Sequence, residues 1–182
     1  MRSASWRADL ENLKARVENE FGADNVFFFK SVEKEGIAGY WGTGPVVFVA
    51  ERPSRAPAKR RQATRLFSNR FFEVLQRHHF EDAHLTDLIK HFPATGLGHE
   101  ELIRRNWPYF LEELAIVDAK IVVAVGSVVH RKLKGRISQP LYLMPHYAYR
   151  YGPVVQLRKQ LDDALERVNA AREALTSDGP LA

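Results

Sequence analysis

The chain has 182 residues, of which 45% are hydrophobic and 27% charged, a balance that suits a globular fold with a full-size core. It contains no cysteine, which excludes disulfides, thiolate zinc sites and cysteine-ligated iron–sulfur clusters. The net charge of +5 favours polyanionic partners, no apolar run approaches the roughly 20 residues that cross a bilayer, and the polar opening MRSASWRADL lacks the apolar core of a secretory leader, so a cytoplasmic protein with no membrane partner is expected.

Leu10, Leu13 and Val17 recur at helical spacing and predict an opening helix that Gly22 stops. Val26 to Phe29 is a short apolar run suited to a strand. Gly36, Gly39, Gly42 and Gly44 then punctuate a turn-rich stretch around Tyr40 and Trp41. Residues 1–45 read as a preface to a core spanning 46–175, within one domain over 1–182. Pro45 introduces Val46 to Ala50, apolar throughout, as expected of a strand covered on both faces. From Arg52 to Phe72 the bases Arg52, Arg55, Lys59, Arg60, Arg61, Arg65 and Arg70 occur with no acid among them. Such a run is either a solvated face or a surface that contacts phosphates.

Leu66 to Arg77 reads as a helix and His84-Leu85-Thr86 as a second strand. His78 and His79 are adjacent, so on a helix they point about 100° apart and make a poor metal pair. From His99 to Val117 the spacing of Leu102, Leu111, Leu114 and Val117 predicts an amphipathic helix, with Pro108 a kink or break. Ile121 to Val125 is a buried strand ended by Gly126. A short helix through Val128 and Leu133 follows, then a last strand at Leu141-Tyr142-Leu143. Leu157, Leu161, Ala164, Val168 and Ala171 mark the final helix.

Strands alternating with helices predict a three-layer αβα fold around a central, mainly parallel sheet of about four strands. Sites in such sheets form beyond the carboxyl ends of the strands. Glu51, Asp87, Gly126 and His146 follow the four predicted strands in turn. Neither G-x-G-x-x-G nor G-x-x-x-x-G-K-[ST] occurs, so no cofactor and no metal are expected.

Four segments resemble, in order, the motifs of the uracil-DNA glycosylase superfamily. They are Ala50-Glu51-Arg52-Pro53-Ser54, Leu85-Thr86-Asp87-Leu88-Ile89-Lys90, Ile121 to Gly126, and Pro145-His146-Tyr147-Ala148. The resemblance implies excision of a flipped, damaged or deaminated base of the uracil or hypoxanthine class from single- or double-stranded DNA by a monomer. Glu51 would hold the attacking water, and His146 would donate a hydrogen bond to the departing base. Phe67, with Asp87 and Tyr147, would bind that base. Pro53 and Ser54 would shape the first loop, and Arg55, Lys59, Arg60, Arg61 and Arg65 would contact phosphates. Asp87 stands where the family reads the base with asparagine, and Tyr147 where it has proline. An ionised aspartate only accepts hydrogen bonds, so it would favour bases presenting an N–H.

Plainer readings stand beside these. Glu51 would be a loop carboxylate paired with Arg52 or Arg55, Asp87 a helix cap or salt-bridge partner, His146 a packed loop histidine and Phe67 ordinary core. The alternative function is an inactive relative that binds nucleic acid or a protein. A third is a hydrolase of small nucleoside-like molecules, against which the basic 52–70 segment argues.

Overall fold

The computed structural model describes residues 5–52, 71–92, 97–147 and 154–177. Helix α1 (Trp6–Phe21) turns Leu10, Leu13, Val17 and Phe21 into the interior and ends at Gly22. Residues 71–77 are helical (α2). Longer helices follow at α3 (His99–Ile116) and α5 (Val154–Ser177), with the short α4 (Ser127–Leu133) between them. The strands are β1 (Val46–Ala50), β2 (His84–Asp87), β3 (Ile121–Val125) and β4 (Leu141–Met144). They form one sheet in the order β2-β1-β3-β4, and every pairing is parallel.

The two central strands are the two runs without a polar residue, and every residue of β1 and β3 is buried. Side chains alternate across a strand, and both faces of this sheet are covered. Val46, Phe48, Ala50, Ile121, Val123 and Val125 pack with Phe71, Leu75, Leu161 and Val168 from α2 and α5. Val47, Val49, Val122 and Ala124 pack with Leu13, Val17, Leu102, Phe110 and Val129 from α1, α3 and α4. The result is the three-layer αβα arrangement expected.

Two expectations need correction. Val26 to Phe29 is no strand: it makes one antiparallel bridge, Val26 with His91, and a hydrogen bond from Phe27 N to Lys90 O. All four residues are half-buried, and the chain they lie against has already left β2, so no ladder extends. Pro108 does not break α3, which runs through it. Proline removes one hydrogen bond from the carbonyl four residues back. Pro108 and Arg104 are both on the exposed side of the helix, where water can satisfy that carbonyl.

The strand order reverses between β1 and β3. The chain leaves β1 for β2 on one side and later returns to β3 on the other. In parallel sheets such a switch point opens a crevice outside the carboxyl ends of the two strands. Here that crevice lies between Glu51 and Gly126.

Candidate functional site

Because all four strands are parallel, their carboxyl ends share one edge. Glu51 follows β1 directly, Asp87 is the last residue of β2, and His146 lies two positions beyond β4. The register is tight there: Ala50 pairs with Asp87, Leu88 N donates to Ala50 O and Ile89 N to Glu51 O. On the other side Gly126 N donates to Met144 O, which draws the residues after β4 against the end of β3.

Gly126 shapes that approach. Its φ of 98° and ψ of 153° belong to a region open almost only to glycine. A Cβ built there would lie 3.5 Å from His146 Cβ, so the imidazole sits directly on the end of β3. Its ring stacks on that of Tyr147, with centroids 4.7 Å apart, and Tyr147 stacks in turn on Phe71 at 4.9 Å. Phe71 belongs to the core layer under α2 and α5, so His146 is tied through Tyr147 to a rigid part of the fold. Burial lowers the His146 pKa, and the Glu51 charge opposes that shift.

The structure therefore brings Glu51 and His146 within electrostatic reach across the switch point. Glu51 is about one-third exposed. Alternation along β1 sends it toward the α3 side, where His99, the first residue of α3, places Nε2 2.9 Å from Oε1. That nitrogen is shielded from solvent but is not aligned for a hydrogen bond, so the contact is electrostatic, an ion pair when the imidazole is protonated. Arg52 Nε is 3.8 Å from the same oxygen.

Asp87 is buried. Its register with Ala50 places it on the opposite face from Glu51, the face that carries Leu85, Phe71 and Tyr147. Asp87 thus shares a side with the aromatic stack, and Glu51 reaches toward α3. Pro53, Ser54, Arg55, Lys59, Arg60, Arg61, Arg65 and Phe67 lie outside the described residues.

Sequence reasoning missed two features. His99 is one, since nothing in an amphipathic helix marks its first residue as a partner of Glu51. The other is an ionic network beneath β2. Lys90 Nζ donates to Thr86 Oγ1 at 2.7 Å and to Asp87 O at 2.9 Å, and pairs with Glu113 of α3. His84 Nε2 lies 2.7 Å from Glu113 Oε1. His84, Lys90 and Glu113 are all at most 1% exposed. Burial works against the charged form of Glu113, but Lys90 and His84 outweigh it and hold the carboxyl well below its usual range. Asn106 adds a further tie: Oδ1 accepts from Lys90 N at 3.0 Å, and Nδ2 donates to Leu102 O at 2.8 Å. The chain just after Asp87 is thereby pinned to α3. A polar residue on the buried side of a helix, as Asn106 and Glu113 are, was the available signal.

Among the described residues no three His, Asp or Glu side chains converge as a metal site, and no helix is long and apolar enough to cross a membrane. No curated protein matches the chain at a significant level. The family model described as the uracil DNA glycosylase superfamily matches residues 42–171, a span that includes all four strands and the whole of the carboxyl edge. By this match over most of its length, the chain belongs to the uracil DNA glycosylase superfamily.

Proposed function

We propose that the protein hydrolyses the N-glycosidic bond of a deaminated or damaged base flipped out of DNA. The observation that carries this reading is the placement of Glu51 just after β1 and of His146 just after β4, at the carboxyl edge of a sheet that the family model covers. A base inside a duplex is out of reach of protein groups, so it must leave the stack before its bond to the sugar can break. Cleavage builds positive charge on the sugar and negative charge on the base. A carboxylate beside the sugar offsets the first and orients a water. The water's oxygen bonds to the anomeric carbon, and the base departs with a proton on nitrogen. An imidazole whose pKa is lowered stays neutral and keeps an N–H donor for the base, where the developing negative charge strengthens the hydrogen bond.

In this reading Asp87 meets the edge of the base from the side of the aromatic stack. When ionised it only accepts, so it takes an N–H at that edge, N3–H of uracil or N1–H of hypoxanthine, and repels the carbonyl beside it; when protonated it could also donate to that carbonyl. Hypoxanthine, with its N1–H, is a reasonable test base beside uracil. Tyr147 steadies His146 against Phe71. From the sequence alone, Phe67 stacks on the base, Pro53 and Ser54 shape the first loop, and Arg55, Lys59, Arg60, Arg61 and Arg65 contact phosphates. The protein would act as an intracellular monomer on single- or double-stranded DNA, without metal or cofactor.

The test is direct. Oligonucleotides carrying uracil, hypoxanthine, xanthine or mismatched thymine are incubated with the protein and probed for alkali-labile abasic sites. Excision of at least one of these bases is the expected result. His146→Ala should slow excision far more than it weakens binding, because its contact strengthens only as the bond breaks. Tight DNA binding without excision of any base would favour the other reading, an inactive relative that binds nucleic acid. The substitutions at Ser54, Asp87 and Tyr147 are the features that motivate that reading.

A further inference from the structure

His99 belongs to no motif, yet it stands closer to Glu51 than any other basic side chain in the ion pairs of the described residues. Its Nε2 lies 2.9 Å from Oε1, and Arg52 Nε lies 3.8 Å from that same oxygen. The charge of the carboxylate also acts on the ring of His146. From its own helix His99 is faced by Glu100, which is itself paired with Lys132 of α4.

The position of His99 is unusual for a base. The first turn of a helix carries the positive end of the macrodipole, so acids are favoured there and cations are not. Glu100 and Glu101, next in the turn, follow that rule. His99 does not, and it puts its inner nitrogen out of solvent beside a carboxylate. A protonated imidazole there stands against the local field, and Glu51 is the partner that compensates it.

We infer that His99 is a positioning residue, which fixes the Glu51 carboxylate by its Oε1 so that Oε2 is the oxygen offered to the attacking water. The inference rests on the glycosylase reading for its consequence, but not for the contact itself. Both described contacts fall on Oε1. A carboxylate held at one oxygen cannot rotate freely about its last bond, so the other oxygen keeps a fixed direction. Holding a reacting group in one orientation removes an entropic share of the barrier, and a misplacement of about 1 Å can cost a factor of about 100.

Two measurements decide it. In the first, single-turnover excision is compared for the wild type, His99→Ala, His99→Gln, Glu51→Gln and the pair His99→Ala with Glu51→Gln. His99→Ala should slow the chemical step by about 10- to 100-fold with oligonucleotide affinity and melting temperature little changed. His99→Gln, which keeps a side-chain N–H, should recover part of the rate. The pair should be no slower than Glu51→Gln alone, because His99 acts only through Glu51. Additive losses in the pair would overturn the inference.

The second measurement needs no activity. The imidazole nitrogen signals of His99 should move in Glu51→Gln, and those of His78, which pairs with Asp162 on α5, should not. Unmoved His99 signals would overturn the contact whatever the kinetics. A wild type that excises nothing, with moved signals, would overturn the glycosylase reading and leave the positioning contact standing.

Discussion

Burial depresses the pKa of His146 while the charge of Glu51 acts the other way, so the net direction is downward. The unfolded chain therefore binds a proton near pH 6.5 that the folded chain accepts only at lower pH. Stability from this group is complete above that window and is lost as the pH falls through it. Melting curves between pH 8 and 5 should show the loss in the wild type and a shallower one in His146→Gln. Identical acid limbs would contradict a lowered His146 pKa. Removing the opposing charge should lower the His146 midpoint further, so an NMR titration of Glu51→Gln checks the coupling. At Asp87 the chemistry is set by one atom: asparagine supplies a donor that an ionised aspartate lacks. Asp87→Asn, which restores a donor for the carbonyl, should speed excision of uracil in single turnover, and an unchanged rate would remove Asp87 from base reading. The positions of Glu51, Asp87 and His146 at the carboxyl edge were legible because each ends or follows an apolar run or a run of strand formers. His99 was not legible, since its partner lies far earlier in the chain and only the fold brings them together.

At the scale of elements, the strand ends depend on local devices whose cost can be measured. Gly126 holds a backbone conformation that side chains rarely adopt, but a Cβ there would meet His146 only at ordinary contact distance. The penalty of Gly126→Ala is thus conformational, about 1–3 kcal/mol, and should lower the melting temperature by several degrees. A neutral result would mean that the turn relaxes, and His146 should then shift with it. Lys90 is the second device. Lys90→Met leaves the buried Glu113 with His84 alone and should destabilise the fold by about 3–5 kcal/mol. Lys90→Met combined with Glu113→Gln removes the stranded charge and should recover much of that loss in urea unfolding. Equal losses in the single and double variants would show that Glu113 is not ionised in the fold. The elements themselves were largely visible beforehand: Val46–Ala50 and Ile121–Val125 are strands to the residue because nothing but a doubly covered position accepts five consecutive apolar side chains. Val26 to Phe29 misled because an apolar run needs a neighbouring ladder to become a strand. Pro108 misled because a proline on the wet face of a helix costs less than one on the dry face. The Lys90–Glu113–His84 network left one trace, Glu113 on the buried side of α3, but its partners lie on another element and only the fold brings them together.

Charge is uneven across the whole molecule in a way that bears on the proposed partner. No acid occurs from Arg52 to Phe72, and none from Ala119 to Leu161. The first stretch begins beside Glu51 and the second contains Gly126 and His146, so the sequence on both sides of the switch point is free of negative charge apart from Glu51 and Asp87 at the strand ends. A surface that tracks a phosphate backbone needs this arrangement, because like charge near the strand would repel it over a Debye length of about 8–10 Å. Arg60 and Arg61 lie at the centre of the first stretch, outside the described residues, and their role follows from sequence alone. If both contact phosphates, each displaces condensed counterions on binding. The slope of log affinity against log salt for duplex DNA should then become shallower by about 2 in Arg60→Glu with Arg61→Glu, roughly 0.9 for each phosphate no longer neutralised. The weakening should be similar for oligonucleotides of different sequence, because phosphate contacts position the protein without reading bases. It should also be similar with and without a damaged base, which separates the backbone surface from the pocket. Binding isotherms between about 50 and 200 mM salt make the comparison, and a variant whose slope matches the wild type would take Arg60 and Arg61 off the DNA path.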